Sequence, residues 1–136
     1  LDGRLITATA ALCDGQMVKM GRAVALYFRK PSPLSNTARL ELASRHRTQP
    51  PVDGVLLMAD CIIMGPGPQS HIVCPLWDQQ VVLYRREDQL YCRSAGPLAV
   101  DGVEVGTHAA LHRGARVTAE SITFVLEDLA NDTNVL

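Results

Sequence analysis

The sequence predicts an all-β sandwich of two packed, mostly antiparallel sheets. Three observations predict it. Segments rich in β-branched and aromatic residues recur at short intervals, separated by Gly, Pro and Asp. No amphipathic helical pattern of about ten or more residues interrupts them. A pattern near the start of the chain returns near its end, and it reads as strand, turn, strand, turn, strand.

The repeat holds one register. Asp2-Gly3 matches Asp101-Gly102, Ala10-Ala11-Leu12 matches Ala109-Ala110-Leu111, Gly15 matches Gly114 and Val18 matches Val117, each pair 99 residues apart. Asp-Gly is a tight-turn pair, because Gly accepts a positive φ and Asp tolerates one. Residues 1–31 therefore read as the closing strands of a preceding repeat. Residues 32–36 lie in a Pro/Ser/Asn linker, "RKPSPLSNT". Residues 37–129 read as a second, complete sandwich, and residues 130–136 as a flexible tail. The chain does not begin with Met, and it reads as part of a longer polypeptide.

Within 37–129 the expected strands are Ala38–Ala43, Val55–Ala59, Cys61–Met64, His71–Val73, Val81–Arg85, Leu90–Arg93, Leu98–Val100, Arg116–Thr118 and Thr123–Leu126. "THAALHRGAR" has some i, i+4 character, but Gly106 and Gly114 bracket it too closely for a helix.

Composition removes several function classes. Of 136 residues, 47 % are hydrophobic and 20 % charged, enough apolar content for a packed core. The net charge of −1 offers no field for nucleic acid or an anionic membrane. No apolar run approaches the ~20 residues of a membrane helix, and the first residues are not a signal peptide. Cys13, Cys61, Cys74 and Cys92 are scattered in apolar stretches and read as free thiols in a reducing, cytoplasmic setting.

The chemistry-bearing candidates have structural readings beside them. "GPGPQSHIVCP" could cradle a phosphate, but Pro66 and Pro68 remove the backbone donors such a loop needs, so it reads as a stiff turn. Ser70 and His71, with Asp78, could form part of a hydrolase site. No Gly-x-Ser-x-Gly elbow is present, and neighbours on a strand diverge. The expected roles are a Ser at the rim and a His holding one hydrogen bond. His71 and Cys74 with Cys61, Cys92, His108 or His112 could bind zinc, but three or four convergent ligands are needed and none is expected to assemble. Arg85, Arg86 and Arg93 around Glu87-Asp88 read as a solvated hairpin. Trp77 is a core cap or a contact anchor.

"ADCIIMGPGPQSHIVCP", "QVVLYRREDQLYCRS", "PLAVDGVEV" and "AALHRGARVTAESITFVLED" together resemble a forkhead-associated (FHA) domain, over about Thr37 to Asp128. The resemblance implies a β-sandwich of the SMAD/FHA type that recognises phosphothreonine peptides through loops at one end. The matching positions depart from the pattern. Pro66 stands where the family has Arg after Gly. Trp77-Asp78-Gln79-Gln80 stands near its Ser-Arg-x-His. Gly96 stands near its Asn, and the later Asn-Gly turn is Asp101-Gly102. The expected function is thus a non-catalytic protein-interaction module without phosphothreonine chemistry, needing no cofactor or metal. Its binding residues would be Ser70, Trp77, Gln79, Arg93 and Ser94, and its partner a protein or peptide. The alternatives are phosphopeptide binding through the substitutes Ser70, Arg93 and Ser94, and the hydrolase or metal enzyme. Residues 1–31 would pair with a sandwich, giving a homodimer or a strand-exchanged assembly.

Overall fold

The structure is a computed structural model that describes residues 1–128. The expected tail at 130–136 lies outside the described residues. The described residues contain strands and no helix, which agrees with the all-β class. They form two compact units, which divide between Asp60 and Cys61.

The first unit is a four-stranded antiparallel sheet in the order β1 (Met17–Met20), β2 (Val24–Arg29), β3 (Ala38–Leu42), β4 (Val55–Leu57). The expected boundary at 32–36 falls within this unit. β3 does not open the second sheet but returns to β2, with Leu26 opposite Leu42 and Phe28 opposite Leu40. The period of two puts these apolar residues on one face and Tyr27, Arg29, Arg39 and Glu41 on the other. Arg39 binds Glu41 at 2.6 Å there, and Arg29 lies 4.9 Å above the Tyr27 ring. The supposed linker is an ordered reversal with buried hydroxyls at Ser32, Ser35 and Thr37. Thr37 Oγ1 accepts the Ala59 N–H at 2.9 Å, and the Ser32 hydroxyl accepts the Leu34 N–H at 3.2 Å.

The second unit holds β5 (Cys61–Gly65), β6 (Ile72–Val73), β7 (Val81–Arg86), β8 (Gln89–Val100), β9 (Val103–Leu111), β10 (Arg116–Thr118) and β11 (Thr123–Val125). The sheet order is β11-β10-β8-β7-β5-β6, with β9 also on β8. β8 is the common member. One of its edges pairs with β9; the other pairs with β7 and then, beyond an irregularity between Arg93 and Leu98, with β10. The core gathers Met64, Val81, Leu83, Cys92, Leu98, Val100, Leu111, Ala115, Val117 and Ile122, with Val81, Cys92, Val117 and Ile122 fully buried. Burying one such aliphatic side chain contributes about 1.5–3 kcal/mol.

β9 is absent from the individually expected strands, although the repeat pattern sets a strand between the Asp101-Gly102 and Gly114 turns; its Thr-His-Ala-Ala-Leu stretch is held by the full-length edge that β8 offers beyond Asp101-Gly102. The Gly-Pro-Gly-Pro segment leads from β5 to its partner β6, which runs parallel to it.

The sequence repeat has a counterpart in the backbone. Asp2 and Asp101 have φ of 48° and 52°, Gly3 and Gly102 of 84° and 82°, and Gly15 and Gly114 of 84° and 80°. Asp2 accepts the Met17 N–H through Oδ1 at 2.9 Å, and Asp101 accepts the Arg116 N–H at 3.0 Å. Asp2 N–H donates to Met17 O, and Asp101 N–H to Arg116 O. The hairpin β1–β2 then matches β10–β11. Its tip is one residue longer, Gly21-Arg22-Ala23 against Glu120-Ser121, so the register shifts from 99 to 98 between the copies.

Candidate functional site

The β7–β8 hairpin turns on Glu87-Asp88, with Glu87 at φ 57°. That two-residue turn sets Tyr84 opposite Tyr91. β9 adds His108, which is opposite Arg93. Alternation sends Leu83 and Cys92 to the core and Tyr84, Tyr91, Arg93 and His108 to the other face. The three rings form one nearly parallel cluster. Tyr84 and Tyr91 lie 5.5 Å apart, Tyr91 and His108 5.6 Å, and Tyr84 and His108 6.1 Å. Guanidinium groups flank it, Arg93 at 5.8 Å from the Tyr84 ring and Arg86 at 5.9 Å from Tyr91. Contacts of this kind at exposed sites contribute about 0.5–1 kcal/mol each and hold the cations above an apolar surface.

The residues expected to bind fall in different places. Gln79 and Ser94 meet at Gly96. Gln79 Oε1 accepts the Gly96 N–H at 2.7 Å, and the Ser94 hydroxyl donates to Gly96 O. A Cβ on Gly96 would sit 3.2 Å from the Gln79 amide, so the small residue permits the contact. Arg93 is on the ring face, and Ser94, its neighbour on the strand, points the opposite way. Ser70 is 3 % exposed and is not at a rim. The loop folds over it, with its N–H donating to Gly67 O at 3.1 Å. Trp77 stacks on Phe124 at 6.1 Å and packs against the core. The substitute set of Ser70, Arg93 and Ser94 is therefore not one cluster.

His71 is fully buried. Its Nδ1 accepts the Ile63 N–H at 2.8 Å, while its own N–H donates to Ile63 O at 2.8 Å. The imidazole thus ties the loop after Gly65 to β5. Asp78 pairs elsewhere, accepting the Ser121 hydroxyl at 2.6 Å. Among the described residues no three His, Cys, Asp or Glu side chains converge as a metal site. Among the described residues no disulfide joins the four cysteines, and burial pushes the thiol pKa of Cys74 and Cys92 up, an accepted backbone hydrogen bond from Ala109 opposing this at Cys92.

At the Asp101 turn, Oδ2 meets His112 Nε2 at 2.6 Å. The Arg116 N–H and then His112 hold the Asp101 carboxyl below its ordinary range. His112 is raised, first by its hydrogen bond to Arg113 O and then by Asp101. Cys13 occupies the matching place in the first copy, so only the second turn carries this pair.

The ring cluster escaped the sequence reading. Tyr84 and Tyr91 are equidistant from the Glu87-Asp88 turn, and counting outward from it would have paired them. His108 could not be placed without β9. Compared with known proteins, the chain matches no family model, no curated protein and no solved structure.

Proposed function

We propose that this chain is a non-catalytic protein-interaction module, a divergent FHA-like domain that binds without phosphothreonine chemistry. One observation carries the reading: the Tyr84–Tyr91–His108 cluster with Arg86 and Arg93 beside it, on the face of the β7–β8–β9 strands away from the core. Tyr and Arg on a rigid sheet are the residue types that anchor protein interfaces, because they bury large area at low entropic cost. Both Tyr hydroxyls and both guanidinium groups can donate to a peptide backbone while the rings cover apolar side chains.

The finer, FHA-like reading has separate support. The two segments that the resemblance assigns to peptide recognition, around Gln79 and around Gly96, are joined by a hydrogen bond. Pro66 stands where the guanidinium would be, and the loop there is stitched to itself through Ser70 and His71. Such an end offers contacts and no anion grip. Four cysteines outside disulfides suit a reducing, cytoplasmic location.

The test is a displayed random-peptide library panned against the protein, with enriched peptides measured by fluorescence polarisation. The expected binders need no phosphothreonine, and Tyr91→Ala or Arg93→Ala weakens them about ten-fold, as for interface anchors of this type. Binders that require phosphothreonine, or that ignore both substitutions, would overturn the proposal.

A further inference from the structure

The first unit shows what accompanies a guanidinium over a tyrosine ring in this chain. Arg29 lies over Tyr27, and Glu41 answers it at 3.7 Å while binding Arg39 at 2.6 Å. The second unit repeats the guanidinium and the ring but not the acid. Arg93 lies over Tyr84 and Arg86 over Tyr91, all four on one face of β7 and β8. Among the described residues no carboxylate stands within ion-pair distance of Arg86 or Arg93. The outward strand positions around them hold Val82, Gln89, His108 and Ala110, none of them acidic. The nearest acids in sequence, Glu87 and Asp88, are in the turn. Both arginines are exposed, and the tyrosines between them are half-buried. The face is therefore apolar at its centre and positive at two opposite corners.

The strands set the spacing of those corners. Arg86 is opposite Gln89, and Gln89 is four residues before Arg93 on β8. At about 3.4 Å per residue the two arginine rows are ~13–14 Å apart, with Tyr84 and Tyr91 in the row between them. An extended peptide repeats that distance between residues i and i+4, and it puts i+2 on the same side as both. We propose that the partner of this face is an acidic peptide of the form Asp/Glu-x-Φ-x-Asp/Glu, where Φ is apolar. Its two carboxylates meet Arg86 and Arg93, and its central side chain covers the tyrosines. This rests on the cluster being an interaction face. Carboxylate and guanidinium form the strong, charge-assisted pair that Glu41 already makes with Arg39. A nucleic acid would bring negative charge too. Each Tyr ring, however, already has two rings and a guanidinium as neighbours, which leaves a base little ring face to stack on.

The experiment pans a displayed random-peptide library on the chain and measures the enriched peptides by fluorescence polarisation. They are expected to carry two acidic residues at i and i+4 around an apolar one. Replacing both acids by Gln or Asn should weaken binding about ten-fold, because the charge-assisted pairs are lost. Binding should also weaken as salt is raised from about 0.05 to about 0.5 M. Arg86→Glu combined with Arg93→Glu, both at exposed positions, should reject the acidic peptides and accept twins in which Lys replaces the acids, with an unchanged circular dichroism spectrum. Peptides that need Tyr91 but lose nothing when their acids are replaced refute the acidic partner and leave the interaction face standing. Peptides that ignore Tyr91→Ala as well, or no enrichment at all, refute both. A single-stranded RNA oligomer that displaces the acidic peptide and binds more tightly overturns the proposal in favour of nucleic acid.

Discussion

Replacing His71 gives the sharpest separation between a scaffold histidine and a reactive one. The imidazole is fully buried and satisfies the Ile63 N–H at 2.8 Å. His71→Ala leaves that donor without its acceptor, which costs about 1–3 kcal/mol. It also opens a cavity, for which large-to-Ala changes in cores cost about 2–5 kcal/mol. Even the lower ends sum to about 3 kcal/mol, a sizeable part of the ~5–15 kcal/mol that holds a typical domain folded. At about 4–8 °C per kcal/mol for a domain of this size, the thermal midpoint should fall by about 12–24 °C. His71→Asn restores an acceptor close to the Nδ1 position, so it should recover about 1–3 kcal/mol of the loss. Calorimetry of the three proteins, with urea unfolding as a second probe, checks both figures. If His71→Ala melts with the wild type, the residue is not a structural tie. If His71→Asn is as unstable as His71→Ala, the hydrogen bond is not what matters.

Leu98→Ala, at a side chain 1 % exposed, should lose about 2–5 kcal/mol in urea unfolding. Gly114→Ala places a Cβ at φ 80° and should cost about 1–2 kcal/mol, whereas Gly54→Ala, at ordinary φ with contacts of 3.8 Å or more, should cost less. The Asp101–His112 pair stabilises the turn over a defined window. His112 is raised, so its share is fully present below its unfolded value near 6.5 and fades as pH rises through the folded one. Asp101 is lowered, so its share is present above its unfolded value near 3.8 and fades as pH falls through the folded one. The turn is therefore best supported between about pH 4 and 6.5; an NMR titration should place His112 above 6.5 in the wild type and lower in Asp101→Asn.

Much of the strand framework was legible in the sequence because it is local. Val81–Arg86 is a run of β-branched, aliphatic and aromatic residues ending in charge, Val117 lies between Arg116 and Thr118, and Arg116–Thr118 is a strand just as read. The Asp-Gly turns were legible for the same reason, since only a few residue types adopt their φ values. Pairing between distant segments was not. Pro, Ser and Asn serve equally in a loose linker and in a tight reversal, so nothing in "KPSPLSN" announces that β3 turns back onto β2. β9 was hidden by Gly106 and by Thr107-His108, which weaken its alternation; its partner β8 holds it in place. Ser70 looked like a rim residue because polar side chains beside turns usually are. The loop's own hydrogen bonds let it go inside. The ring cluster needed three strands in register before it existed.

The sharing of β8 among β7, β9 and β10 makes the second unit a cooperative block. Its neighbours cannot peel away one after another without losing their common support. Amide hydrogens at Cys92 and Val100, although on opposite sides of the irregularity, should exchange with solvent at the same rate and only through global unfolding. A lesion at either end of that strand is felt along its whole length.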